Sequence, residues 1–225
     1  MERIVLPEGC CFPLPNAIDL ELGALVEPLS IGVYAVRLAR LRPGRPFAVL
    51  GAGPIGLSVL IAAKAAGAGA AYVTEPIPER RTMAMALGAS WTGDPYADDV
   101  VSQIQSHEPL LLDTVFECSG KQEAMDVGVR LLAPGGRLML IGIPSCDRVS
   151  FEMDWLRRRE ICLQNVRRQN ECVQPAIELA ATCPDSVRRM VTHRYPFGRT
   201  GEAFDVVADY RDGVVKAMID MAAAT

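Results

Sequence analysis

A glycine-rich turn between a short apolar segment and a helical segment is the feature that most constrains the fold. Residues Gly51 to Gly56 read GAGPIG; they follow the apolar run Phe47–Leu50 and lead into the alanine-rich stretch that ends at Ala66. A strand, a glycine turn and a helix in this order begin a dinucleotide-binding βαβ unit. The three glycines permit a tight turn, close approach of a pyrophosphate, and close packing of the helix on the strand.

A second apolar run, Ala71 to Thr74, ends in Glu75, about twenty residues past the last glycine of the motif. A carboxylate at the tip of this second strand accepts hydrogen bonds from the ribose hydroxyls of an adenosine. The alternative is a glycine turn in an α/β domain that binds nothing, since glycines also cluster in ordinary turns. The complete order of strand, turn, helix, strand and acid favours a nucleotide site.

Composition limits the classes of function. The chain has 225 residues, half of them apolar, and a formal net charge of -4, which fits one large domain or one domain with a piece of another. Mild acidity and scattered arginines predict no nucleic-acid partner. We expect no membrane partner and a cytoplasmic location, because no apolar run approaches membrane-spanning length and no signal-peptide pattern opens the chain. The seven cysteines form no C-x-x-C pair and show no zinc-ligand spacing.

Apolar runs and helical patterns alternate along the chain, which predicts an α/β fold with a parallel sheet and helices on both faces. We predict strands at 47–50, 71–75, 89–92, 113–118, 137–143 and 160–166, and later ones at 187–193 and 214–220. The first helix is predicted from Ile31 to Leu41, before the helix breakers Pro43 and Gly44.

Several motifs in order along the chain resemble those of a known family. They read GALVEPLSIGVYAV, RPG, GAGPIG, VTEPIPERR, LGAS, VFECSG, LAPGGRLMLIGIP and VTHRYPF. Together they resemble the medium-chain zinc-dependent dehydrogenases, and within them the sorbitol (polyol) and threonine dehydrogenase branch. The resemblance covers nearly all of this chain but only the later part of the family's chain. The family normally opens with a GroES-like barrel domain, which carries the cysteine and the His-Glu pair that hold a catalytic zinc.

The resemblance implies a domain division and an assembly. Residues 1–30 would be a remnant of the catalytic domain, 31–168 a Rossmann-type NAD-binding domain with a doubly wound parallel sheet, and 169–225 a C-terminal segment that braces the catalytic domain. It also implies a homo-oligomer that pairs through the sheet edge near Met139–Glu152. Without the barrel domain, apolar residues toward both ends are expected to lack a packing partner, which is a further reason to expect self-association. They are Leu6, Phe12, Leu14, Met190, Phe197 and Phe204.

The resemblance also implies a set of residues that bind the cofactor NAD. The pyrophosphate loop would be Gly51, Gly53, Pro54, Ile55 and Gly56. The remaining residues would border the adenosine or the nicotinamide: Glu75 on the adenosine ribose, Arg80 along the adenine, Cys118, Ser119, Gly142 and Ile143 beside the cofactor, and Arg167 near the nicotinamide and the substrate.

The carboxylate of Glu75 would repel a 2′-phosphate and therefore favours NAD over NADP, although Arg80 and Arg81 could weaken that preference. In the family, the residue that matches Glu27 lies beside the catalytic zinc as a ligand or as a partner of its water. Zinc acts as a Lewis acid on the alcohol, whose hydride passes to nicotinamide. A catalytic zinc needs about three protein ligands, so we expect zinc in the parent family and not on this chain. The alternative for Glu27 is an acid at the entry of a helix.

These observations predict the NAD(H)-binding portion of a zinc-dependent dehydrogenase. Its parent reaction would oxidise a small secondary alcohol or polyol to a ketone, and the chain alone would be inactive. A non-catalytic NAD-binding module or one half of a split enzyme is the alternative. A zinc-independent quinone-type reductase is a weaker one, because the stretch around Glu27 and the THRYPF tail resemble the zinc branch better.

Overall fold

The apolar runs form a six-stranded parallel sheet in the computed structural model, which describes residues 4–221. The strands are β1 (Phe47–Leu50), β2 (Ala71–Thr74), β3 (Trp91–Gly93), β4 (Leu112–Glu117), β5 (Leu132–Leu140) and β6 (Cys162–Asn165). Their spatial order is β3-β2-β1-β4-β5-β6. This is the order of a doubly wound dinucleotide-binding sheet, and the predicted fold class is confirmed.

Helices cover both faces of the sheet and contribute two apolar cores. The helices are α1 (Leu20–Ala39), α2 (Pro54–Ala65), α3 (Pro78–Ala86), α4 (Val100–His107), α5 (Gln122–Leu131), α6 (Met153–Arg158), α7 (Val173–Thr182), α8 (Pro184–Arg188) and α9 (Thr200–Ala208). One core joins α1, α2 and α7 to the sheet, and the other lies under α4, α5 and α6. The central strands β1 and β2 are buried at every residue, as expected for a sheet covered on both sides.

The first helix begins earlier than the sequence predicts. Helix α1 starts at Leu20, because the Asp19 side chain accepts a hydrogen bond from the Leu22 N–H at 3.0 Å and caps the helix. Pro28 lies inside α1 and cannot donate to the carbonyl one turn earlier, which made the helix hard to predict upstream of Ile31. The proposed domain boundary after residue 30 therefore falls inside a helix.

Helix α1 also corrects the expectation that no apolar run approaches membrane-spanning length. Its 20 residues are long and apolar enough to cross a membrane by length and composition, and more than half of the most apolar stretch is buried in the fold. The buried residues, which include Leu22, Leu25 and Leu29, lie in the core with α2 and α7.

The C-terminal part differs in detail from the prediction. A short helix, α8, occupies the start of the predicted strand 187–193, since Pro184 fits the first turn of a helix. The strand, β7 (Val191–Pro196), follows it and pairs in parallel with β8 (Lys216–Asp220). Met190, expected to lack a partner, is fully buried.

The sheet edge also differs from the expectation. Strand β5 lies between β4 and β6, so the free edge on this side is β6 and not the segment that starts at Met139.

We predict that Gly32→Ala lowers the free energy of unfolding by about 1–3 kcal/mol. A Cβ at Gly32 would lie 2.5 Å from the Ser58 carbonyl carbon and oxygen in α2, and a backbone cannot shift as a flexible side chain can. The matched control is Gly201→Ala in α9, where a Cβ meets nothing within 4 Å and alanine favours the helix. Urea unfolding measures both; equal stability of the two variants would contradict the close α1–α2 packing.

Candidate cofactor site

The carboxyl ends of β1, β2 and β4 lie next to one another, at the end of the sheet that we call its carboxyl edge. The strand register pairs Leu50 with Thr74 on one side and with Glu117 on the other. The next residues of the three strands, Gly51, Glu75 and Cys118, therefore lie side by side. The chain leaves β1 toward β2 but enters β4 from β3 at the far edge, so β1 and β4 flank the switch point where such sheets bind ligands.

Two of the three motif glycines are required by the fold itself. Gly51 has φ of +101°, a conformation that side chains rarely adopt. A Cβ at Gly56 would lie 1.8 Å from the Gly51 carbonyl oxygen, so α2 can lie this close to β1 only with glycine there.

Gly53 differs, because the fold leaves space around it. Its φ of -72° is available to any residue. Among the described residues other than its two chain neighbours, only Arg80 places an atom within 4 Å of an added Cβ, Nη1 at 3.9 Å. Gly53 is the N-cap of α2, and no side chain caps that helix. Pro54 has no N–H, and the remaining first-turn N–H groups with the positive end of the helix dipole make this turn suited to an anion.

Glu75 is buried and joins the glycine turn to the loop after β2. Its Oε2 accepts a hydrogen bond from the Ala52 N–H at 2.8 Å, and its Oε1 accepts one from the Ile77 N–H at 3.1 Å. Each carboxylate oxygen can accept a second hydrogen bond, so these contacts still leave capacity for hydroxyl donors of a ligand.

The two arginines after β2 have partners within the protein. Arg81 donates to the Glu75 carbonyl oxygen at 2.6 Å and forms an ion pair with Asp94 at 3.4 Å. Arg80 is buried; its Nε donates to the Val214 carbonyl oxygen at 2.8 Å, and its guanidinium lies 5.3 Å from the centre of the Tyr210 ring. The Arg80 side chain therefore lies between the glycine turn and the C-terminal segment.

Sequence reasoning missed Glu117, the last residue of β4. Its fully buried Oε1 accepts hydrogen bonds from the Ser119 N–H at 2.7 Å, the Gly120 N–H at 2.8 Å and the Ser119 hydroxyl at 2.6 Å. Its Oε2 has no hydrogen-bond partner among the described residues, and a Cβ at Gly142 would lie 2.7 Å from it. Glu117 thus shapes the loop after β4 and lies against the loop after β5. An acid at the end of an apolar run was the available signal.

The residues expected beside the cofactor lie on these two loops. Ser119 is exposed, and the Gly142 N–H donates to the Glu117 carbonyl oxygen at 3.0 Å. Ile143 is 91% exposed, although it is a large apolar residue. Cys118 is partly buried, and burial together with the charge of Glu117 raises the pKa of its thiol well above the usual value. The thiol therefore suits a wall of the cleft and not a nucleophile.

Arg167 and Glu27 belong to other elements of the fold. Arg167 is exposed, two residues past the edge strand β6. Glu27 is exposed in the interior of α1, so it is not the acid of a helix entry. Within residues 4–221, no group of three or more His, Cys, Asp or Glu side chains could hold a metal ion. The residues present therefore do not fit a catalytic zinc, whereas the turn at Gly53 fits a diphosphate.

Comparison with known proteins gives relatives of this chain in sequence and in fold. A family model described as zinc-binding dehydrogenase matches residues 54–182. Sorbitol dehydrogenase of Mus musculus is 32% identical over 198 residues, which are 87% of this chain and 55% of that protein.

Two solved structures have the same fold over most of this chain. 2R,3R-butanediol dehydrogenase from Bacillus subtilis has a TM-score of 0.86 at 29% identity, covering 92% of this chain and 60% of that one. A protein assigned as a zinc-binding dehydrogenase from Sinorhizobium meliloti 1021, solved with NADP, has a TM-score of 0.84 at 29% identity, covering 93% and 62%. The chain thus spans less than two thirds of the length of these relatives. Because the family model matches more than half of its residues, the chain belongs to the zinc-binding dehydrogenase family.

Proposed function

We propose that this chain binds NAD(H) at the carboxyl edge of the sheet and is the cofactor-binding portion of an alcohol or polyol dehydrogenase. The observation that carries the proposal is the empty space at Gly53. The fold requires Gly51 and Gly56 for its own packing, but it does not require glycine at position 53. A glycine that only a ligand needs, at the uncapped start of α2, supports a bound pyrophosphate.

The other site residues have roles that follow from their positions. Glu75 accepts hydrogen bonds from the adenosine ribose, and the loops with Ser119 and Gly142 form the floor beneath the nicotinamide. The exposed Ile143 covers one face of that ring and excludes water from it. Arg167 lies at the outer side of the same edge, toward the substrate. When bound, the nicotinamide accepts a hydride from the carbinol carbon of the alcohol.

NAD is the preferred cofactor because of the charges around the ribose site. Glu75 is buried beside the turn, and a 2′-phosphate would bring a second negative charge close to it. Arg81 already pairs with Asp94, so its charge is partly neutralised and attracts that phosphate less. The relative from Sinorhizobium meliloti was solved with NADP, so the preference of this chain for NAD over NADP is tested directly below.

The chain alone is inactive in this proposal, because Glu27 has no set of co-ligands for zinc among the described residues. The same observation supports the alternative of a non-catalytic NAD-binding module or one half of a split enzyme. We also propose self-association, supported by apolar side chains that remain exposed at both ends of the described chain: Leu6, Phe12, Leu14, Phe197 and Phe204.

Gly53→Ser is expected to weaken NADH binding by about tenfold or more while the fold stays at least as stable. Serine is a better helix N-cap than most residues, and its side chain would occupy the space left for the diphosphate. Calorimetry gives the dissociation constant, and thermal unfolding gives the stability. The control is Gly201→Ser, which lies in open space far along the chain. Unchanged NADH affinity in Gly53→Ser would contradict the site.

The wild-type chain is expected to bind NADH about tenfold more tightly than NADPH. In Glu75→Gln this ratio should shrink, because the charge that repels the 2′-phosphate is gone. Glu178→Gln removes an equivalent charge from an exposed position in α7 and should leave the ratio unchanged. Fluorescence titrations with both nucleotides measure the ratio; a preference of the wild type for NADPH would overturn the assignment of NAD.

The purified chain with zinc and a secondary alcohol or polyol should form no NADH above background, measured at the absorbance of the reduced nicotinamide. A separately produced barrel domain that restores turnover on mixing would support a split enzyme. Alcohol-dependent NADH formation by the chain alone, abolished in Gly53→Ser, would refute the proposed inactivity.

A further inference from the structure

We propose that the C-terminal segment Tyr210–Val214 is part of the cofactor site, because it fixes the Arg80 side chain for the adenosine half of NAD(H). This inference rests on the proposed function and adds residues that neither the sequence motifs nor the sheet topology assign. Tyr210 and Val214 are positioning residues in this account, since they act on the ligand through Arg80.

Two contacts from the segment determine where the Arg80 guanidinium lies. The Val214 carbonyl oxygen accepts hydrogen bonds from Nε at 2.8 Å and from Nη2. The Tyr210 ring lies against the guanidinium, with 5.3 Å between the ring centre and the central carbon. A two-donor contact in the plane and an aromatic ring over one face together define both the position and the tilt of the group.

The part of Arg80 that remains for a ligand faces the glycine turn. Nη1 is the atom that an added Cβ at Gly53 would approach, at 3.9 Å. Because Tyr210 lies over the guanidinium and Val214 takes Nε and Nη2, we assign Nη1 to the adenosine and the phosphate beside it. An arginine side chain carries about 2 kcal/mol of rotamer entropy. The segment restricts those rotamers before the ligand arrives, and preorganisation of this kind favours binding.

The backbone of Tyr210–Val214 has an uncommon conformation and packs closely against the start of α3. Tyr210 and Asp212 have φ of +53° and +54°, which is uncommon for residues other than glycine. A Cβ at Gly213 would lie 2.5 Å from the Glu79 Cβ, and Val214 is fully buried. The backbone is therefore held closely against the start of α3.

The Tyr210 ring itself does not serve the core of the protein. It is 63% exposed, and the guanidinium of Arg80 lies over it. An exposed aromatic ring on a buried arginine, next to the space at Gly53, is explained by a role in the site and not by packing.

The first test measures dissociation constants of NADH and of ADP-ribose, which lacks the nicotinamide, by calorimetry. Tyr210→Ala is expected to weaken both by the same factor, about fivefold. Tyr210→Phe keeps the aromatic ring and should therefore bind both ligands with wild-type affinity. Tyr96→Ala is the matched control, because Tyr96 is 74% exposed on another loop. Unfolding midpoints of all variants are measured alongside, and Tyr210→Leu, which keeps apolar bulk, replaces Tyr210→Ala if the latter unfolds.

The second test is a double-mutant cycle with Arg80→Gln. If Tyr210 acts through Arg80, Tyr210→Ala causes no further loss of ADP-ribose affinity in the Arg80→Gln background. A full additional loss in that background, or wild-type affinity in Tyr210→Ala, would overturn the inference. The outcome is separable from the proposed function: a folded wild type that binds no NADH would refute the proposed function, whereas NADH binding that is insensitive to Tyr210 would refute only this inference.

Discussion

The close approach of α2 to β1 is the constraint on which the rest of the structure depends. Gly56 lies so near the Gly51 carbonyl oxygen that no side chain fits, and this contact aims the start of α2 at the carboxyl edge of the sheet. The dipole and unpaired N–H groups of that helix end then face the switch point between β1 and β4. Helix α1, packed on the backbone of α2 at Gly32, supports the same helix from the other side.

Two buried carboxylates arrange the loops around this helix end. Glu75 accepts backbone N–H groups from its own loop and from the glycine turn, and Glu117 accepts those of the loop after β4. Each acid satisfies backbone donors that would otherwise be buried without partners. The edge of the sheet is therefore preformed, and the same groups that stabilise the loops shape the surface against which a dinucleotide would lie.

Much of this arrangement follows from local sequence pattern. Continuous apolar runs predicted the six strands of the sheet, and GAGPIG with the acid after the second strand predicted where the cleft lies. The errors occurred where a local rule conflicts with packing. Pro28, which usually breaks a helix, led to a prediction that α1 begins only at Ile31. The apolar residues around Met190 predicted a strand from residue 187, although α8 extends to Arg188. The contact of Arg80 with Val214 joins residues 134 positions apart. A contact between residues so far apart in the chain cannot be predicted from the local pattern of apolar and polar residues. Glu117 was missed because burial, which gives it its role, is a property of the folded chain.

The central claim is that a dinucleotide diphosphate lies against the backbone amides at the start of α2. Amide hydrogen exchange with and without saturating NADH tests it most directly. The account predicts slower exchange in residues 51–57 and in the loop after β2, with no change in α6 on the far side of the sheet. Tight NADH binding by calorimetry with unchanged exchange in residues 51–57 would contradict it.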